Sequence, residues 1–230
     1  MTDRGVVPLD LGEVRLPSRT PLAGTLLSIR AFVIRHRAGP ILVDTGMAAD
    51  VPELNALYQP QIVPIAKALR AIGLLPADIV AVVNTHLHFD HCGGNRLFSG
   101  TPVFVQASEL NAAREPGYTV PEWVDFPESD YRPIESDTEI ADGVRLLAAG
   151  GHTAGTQAVT VQSDEGPLLI AAQAAADARE FEDPTYRHPR GLAMAWDESA
   201  YTRSLERLRA LSLTAVYFSH DATVLRPSPE

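Results

Sequence analysis

The chain has a single cysteine, Cys92, in 230 residues, so no disulfide can form within it. Nothing in the sequence therefore points to an oxidising compartment. Long apolar runs are also missing. Arg, Lys, Asp or Pro interrupts every hydrophobic stretch, which excludes a membrane-spanning helix. The first residues, MTDRGVVPLDLGEVRLP, lack the apolar core of a signal peptide. A cytoplasmic location is the expectation. Basic charge is scarce, with 19 Lys and Arg against 29 Asp and Glu and a formal net charge of -10. This argues against a nucleic-acid partner, which calls for a basic footprint. No internal repeat and no low-complexity linker divides the chain, so residues 1–230 are expected to form one domain.

What is present is an ordinary globular composition with strands and helices mixed along the chain. Leu26 to Arg35 reads as a strand, Arg37-Ala38-Gly39-Pro40 as a turn, and Ile41-Leu42-Val43 as the returning strand. A helix is predicted over about 61–73, with Ile62, Ile65, Leu69 and Ile72 on one face and Gly73 as its stop. Ile79 to Val83 is a short β-branched run of the kind found in buried strands. A strand at 101–105 and a helix at 107–114 follow. Residues 115–133, with Tyr118, Trp123, Phe126 and Tyr131, read as a long surface excursion near a binding site. Further strands are predicted at 144–148, 157–161, 167–172 and 215–218. A last helix covers 197–211 with Asp197 as N-cap. The pattern implies a layered α/β fold.

The densest chemistry lies just after the Ile79–Val83 run. His86-Leu87-His88-Phe89-Asp90-His91 places three of the seven histidines and one aspartate in six residues. In an extended segment residues two apart share a side, so His86 and His88 can aim two imidazoles at one point. Asp90 and His91 lie where strand gives way to loop and can turn to a neighbouring point. Imidazole nitrogen and carboxylate oxygen are donors that zinc favours. His152, in Gly150-Gly151-His152-Thr153, and His220, after Phe218, sit at similar strand-to-loop junctions. A lone histidine there is more often structural, but beside the main cluster both become candidate ligands. His36 and His188 have no such setting and read as surface or turn residues. Cys92 follows the cluster and reads as a small buried residue.

The order ILVDTGM at 41–47, THLHFDH at 85–91, GGHTAG at 150–155 and SHD at 219–221 resembles the metallo-β-lactamase superfamily. Within it the chain looks most like N-acyl homoserine lactonases. The resemblance implies an α/β fold, a four-layer αβ/βα sandwich with metals at one edge. It implies one zinc held by His86, His88 and His152 and a second by Asp90, His91 and His220, with Asp44 supporting the ligands. It implies a zinc-dependent hydrolase that opens lactone or ester bonds by a metal-bound hydroxide, with Asp90 also in a catalytic role. The expected partner is a small-molecule substrate, with no nucleic acid and no membrane; the sequence allows a homodimer.

Two positions depart from that family. Where it carries a metal-bridging aspartate, this chain has Gln173, a candidate contact to a metal or its water, with Asp177 four residues later as a weaker substitute. An amide offers one neutral carbonyl oxygen in place of two anionic ones, so a second ion should bind less well. Where the lactonases carry a tyrosine for the substrate carbonyl, this chain has Ala176, and Tyr186 or Tyr131 would have to substitute. The competing readings are a thioesterase or β-lactamase-like hydrolase of the same fold, and a metal-binding pseudoenzyme.

Overall fold

The computed structural model describes residues 5–18, 20 and 22–227. Among these the chain forms twelve strands: β1 (Val6–Arg15), β2 (Leu26–Ile34), β3 (Ile41–Val43), β4 (Gln61–Ile62), β5 (Ala81–Val83), β6 (Pro102–Gln106), β7 (Asp130–Ile134), β8 (Thr138–Ala141), β9 (Val144–Ala148), β10 (Gln157–Ser163), β11 (Gly166–Ala172) and β12 (Ala215–Phe218). One sheet has seven strands in the order β4-β1-β2-β3-β5-β6-β7, and the other five in the order β12-β11-β10-β9-β8. β3, β5, β6 and β7 run parallel to one another, and β12 runs parallel to β11.

Side-chain alternation along these strands builds the layers. Phe32, Ile34, Ile41, Val43 and Val83 point inward and meet Leu146, Val159, Val161, Ile170 and Tyr217 of the other sheet. The alternate residues Ala31, Val33, Leu42, Val82, Val103 and Val105 point outward onto helical segments through Ile65, Leu69, Leu110 and Trp123. On the far side Ala158, Leu169, Ala171, Val216 and Phe218 pack against Phe181, Tyr201, Leu205 and Leu208. Three apolar interfaces separate four layers, helix, sheet, sheet and helix, which is the αβ/βα sandwich. Each fully buried large side chain contributes about 1.5–3 kcal/mol.

The helix expected over 61–73 is shorter. Gln61–Ile62 instead pairs with Gly12 and Glu13 of β1, and helix begins at Ile65 and ends at Ala71. Pro64 is the reason: it lacks an N–H, and it disfavours helical backbone at Val63. Gly73 does terminate the turn, at φ +80°. Structure also begins earlier than Leu26, because β1 pairs along β2 from Val6 to Arg15. Residues 115–133 are only partly a surface excursion. Gly117 to Val120 line a pocket, but Trp123 and Phe126 are buried and Asp130–Ile134 is an edge strand. The predicted strands at 144–148 and 215–218 and the helix capped by Asp197, observed as Glu198–Arg209, agree with the structure. No helix of the described residues is long and apolar enough to cross a membrane.

Candidate metal centre

Five strands deliver the polar residues at their carboxyl ends, where backbone leaves the ladder and side chains are free to converge. Asp44 follows β3, Asn84-Thr85-His86 follow β5, His152 lies in the loop after β9, Gln173 follows β11, and Ser219-His220 follow β12. His86 and His88 lie just beyond β5 rather than on it. Asp90 and His91 sit on a short helix, Phe89–Cys92, whose N-cap residue is His88. This tight turn replaces the simple alternation expected of a strand. It still brings His86 Nε2 to 3.1 Å from His88 Nδ1, and His152 Nε2 to 3.2 Å from the same Nδ1. Asp90, His91 and His220 form a second group, with Asp90 Oδ2 3.5 Å from His91 Nε2 and 3.7 Å from His220 Nε2. The two groups are the ones expected from the resemblance, and in each the donor atoms lie within 4.8 Å of one another.

The supports behind these side chains set their tautomers. Asp44 is fully buried and accepts from Thr85 N (2.7 Å), Thr85 Oγ1 (2.7 Å) and His91 Nδ1 (2.8 Å). His220 Nδ1 donates to the Ser28 carbonyl at 2.6 Å. Each contact leaves the Nε2 lone pair facing the site. Glu109, which sequence reasoning passed over, is equally buried. It accepts from Leu87 N (2.8 Å), Thr153 Oγ1 (2.6 Å), Gly155 N (3.1 Å) and the Tyr118 hydroxyl. One carboxylate thus ties the His86–His88 segment to the His152 loop. Gly155 is needed for that approach, since a Cβ there would lie 2.4 Å from Glu109 backbone nitrogen. In the sequence Glu109 is one acid within the helix expected at 107–114, with no motif around it to mark a role.

Charge states follow from burial and neighbours. Burial, reinforced by the other imidazoles, holds His86 and His152 well below the usual histidine range. Burial takes His220 down to about 3 despite the pull of Asp90. Burial opposes charge on His91 too, but Asp90 and Asp44 outweigh it and raise that ring to about 9. Burial would raise Asp90, yet His91, His220 and His88 hold its carboxyl below the ordinary value. A proton can join two ring nitrogens but not three that converge on one point. His91 Nε2, His220 Nε2 and Gln173 Oε1 are buried without any hydrogen-bond partner. Four imidazoles held neutral, one carboxylate, an orphaned amide oxygen and His91, whose Nε2 proton a cation would displace, are a donor set that fits a divalent cation.

The centre opens into a cavity of about 440 Å³. His88, Asp90 and Gln173 contribute polar groups. Leu16, Leu27, Leu54, Leu57, Val120 and Met194, with Tyr58, Phe89 and Tyr118, make it mostly apolar. No Lys or Arg is among the described residues that line it. Neither Tyr131 nor Tyr186 reaches it. Tyr131 accepts from Asn95 Nδ2 at 3.2 Å in the core, and Tyr186 packs under the Arg179 guanidinium at 3.9 Å. Ala176 is buried with its N–H donated to Glu180. The tyrosines at the pocket are Tyr58 and Tyr118, the latter with its ring 4.9 Å from that of His88. Asp177 points elsewhere: it caps the helix Ala178–Glu182 and lies 3.4 Å from His188.

The family profile described as Metallo-beta-lactamase superfamily matches residues 24–220. The chain belongs to the metallo-β-lactamase superfamily. Among curated relatives of that superfamily, an N-acyl homoserine lactonase from a Bacillus species is 31% identical over 211 residues, spanning 85% of this chain and 82% of the relative. Among solved structures, an N-acyl homoserine lactone hydrolase with the product N-hexanoyl-L-homoserine at its catalytic metal centre matches with a TM-score of 0.81 and 27% identity, over 96% of this chain and 95% of that one. AidC, a dizinc quorum-quenching lactonase, shares the fold at 17% identity and a TM-score of 0.73, over 98% and 90%. With this membership, these hydrolase relatives and this donor set, the chain is a metal-dependent hydrolase of the metallo-β-lactamase fold.

Proposed function

We propose that this metallohydrolase opens lactone rings bearing an apolar acyl chain, as its N-acyl homoserine lactonase relatives are named for doing. The observation that carries this reading is the meeting of two three-residue donor groups with an apolar cavity that lacks cationic side chains. His86, His88 and His152 would hold one ion and Asp90, His91 and His220 another, with Gln173 beside them and Asp44 fixing His91. Zinc suits this mixture of imidazole and carboxylate donors. When bound, such an ion makes its water a hydroxide near neutral pH and polarises a carbonyl oxygen.

The chain's own residues do the remainder. Asp90 stays ionised at neutral pH and lines the cavity, so it orients the attacking water and accepts its proton. That proton returns to the ring oxygen as the acyl C–O bond breaks, so the leaving group is released as a hydroxyl still tethered to the product. The leucines, Phe89 and Met194 take the acyl chain and exclude bulk water. A β-lactam carries a carboxylate, and coenzyme thioesters carry phosphates. Neither finds a Lys or Arg on the described walls, so a neutral lactone is favoured over them. A single buried cysteine suits a reducing compartment such as the cytoplasm.

The test incubates metal-loaded protein with N-acyl homoserine lactones of graded chain length, a thioester and nitrocefin, and follows addition of one water by mass spectrometry. Turnover of lactones, lost on chelation and in His152→Ala, is the expected result. Turnover of the thioester or nitrocefin with none of any lactone would overturn the reading, and no turnover of anything would favour a metal-binding pseudoenzyme.

A further inference from the structure

Gln173 is the first residue beyond β11. It follows Ala172, whose φ of +53° is left-handed and rare for any residue but glycine. Ala172 pairs with Phe218 in the parallel β11–β12 ladder, so Gln173 leaves its strand beside Ser219-His220. Its side chain is buried, it lines the cavity with His88 and Asp90, and its carbonyl oxygen faces His91 without a hydrogen-bond partner. That oxygen is aimed at the donor set but is neutral.

The charge available to the centre is correspondingly small. The six clustered residues carry one carboxylate between them, Asp90. Asp44 lies behind the cluster with both oxygens engaged by Thr85 and His91. Glu109 engages both of its oxygens with Leu87, Thr153, Gly155 and Tyr118. Asp177 is turned away into its helix cap. A single divalent ion already exceeds the one negative charge at the donor atoms. A second ion adds its double charge at short range in a buried site, where repulsion is poorly screened.

Resting on the reading of these residues as metal ligands, we propose that Gln173 makes the centre unequal: one ion is held tightly, and a second binds far more weakly. The amide oxygen contributes to one ion or to its water, and it cannot neutralise the pair. The protein at low metal is then a mononuclear hydrolase whose second ion comes and goes with metal supply.

The experiment strips the full-length protein with chelator and titrates it with Zn(II) in competition with a chromophoric chelator. Bound metal is counted by elemental analysis, and Co(II) absorption is recorded in parallel. One tight equivalent and a second weaker by on the order of 100-fold or more is expected. Gln173→Asp should narrow that gap by about tenfold or more, with a second set of Co(II) bands appearing at lower metal. Two equally tight ions in the unsubstituted protein would overturn the inference while leaving the metal-centre reading intact. A folded Gln173→Asp variant with an unchanged gap would overturn it as well. No tight ion at all would sink the metal-centre reading and this inference together. The titration of the unsubstituted protein decides the matter even if the variant fails to fold.

Discussion

Single residues here are fixed by what they can accept or donate. Asp44 stands in left-handed backbone at φ 60° and takes three hydrogen bonds at once. Asp44→Asn keeps the size and tolerates that backbone, but it turns one acceptor oxygen into a donor facing Thr85 and His91. A loss of about 2 kcal/mol is expected in urea unfolding, together with faster release of metal to a chelator. Unchanged stability and unchanged release would show that Asp44 only closes a turn. Cys92 is a second case. Burial pushes its thiol up to about 12, and its sulfur donates to the Leu87 carbonyl at 3.4 Å. The native protein should therefore resist a disulfide reagent at pH 8, with one thiol per chain reacting after denaturation. Rapid native labelling would contradict the structure. The sequence showed that Cys92 had no partner for a disulfide, but its neighbour in the fold, Thr119, could not be read from it.

Elements show where local reading succeeds and where it stops. The helix Glu198–Arg209 was legible because Asp197 caps it and Tyr201, Leu205 and Leu208 repeat on one face. The segment at 61–73 was misread because its apolar spacing fits a helix, while Pro64 and pairing to β1 decided otherwise. Glu109 was missed for a related reason. Its role comes from four donors in three separate segments, none of them near it on the helix. Glu109→Ala should cost about 3 kcal/mol or more, since it leaves the buried Leu87 and Gly155 N–H groups without acceptors. Tyr118→Phe removes one of the four bonds and should cost about 1 kcal/mol. Equal losses in thermal melts of the two variants would deny Glu109 its joining role.

At the scale of the molecule, the two sheets meet at a buried polar seam beside the candidate metal centre. Gln157 donates from its backbone to Thr85 and from its side chain to Asn84, and Gln106 donates to Gln157. His220 of the second sheet reaches Ser28 of the first. A cation joining residues from both sheets binds the folded chain and not the unfolded one, so it should stabilise by linkage. Metal removal should lower the melting temperature and reloading should restore it, with a shift that grows with free metal. A melting temperature indifferent to metal would mean that the donors are not shared between the sheets.

The His86–His91 cluster, its candidate partners His152 and His220, and the substitution of Gln173 were determined by the sequence alone. They depend on residue identity at strand ends, and short-range spacing carries that information. The tertiary structure alone decided that Glu109 joins the loops, that Tyr58 and Tyr118 line the cavity, and that Asp177 faces away. Those outcomes depend on which segments the two sheets bring side by side, and contacts between residues distant in the chain leave no period or spacing to read.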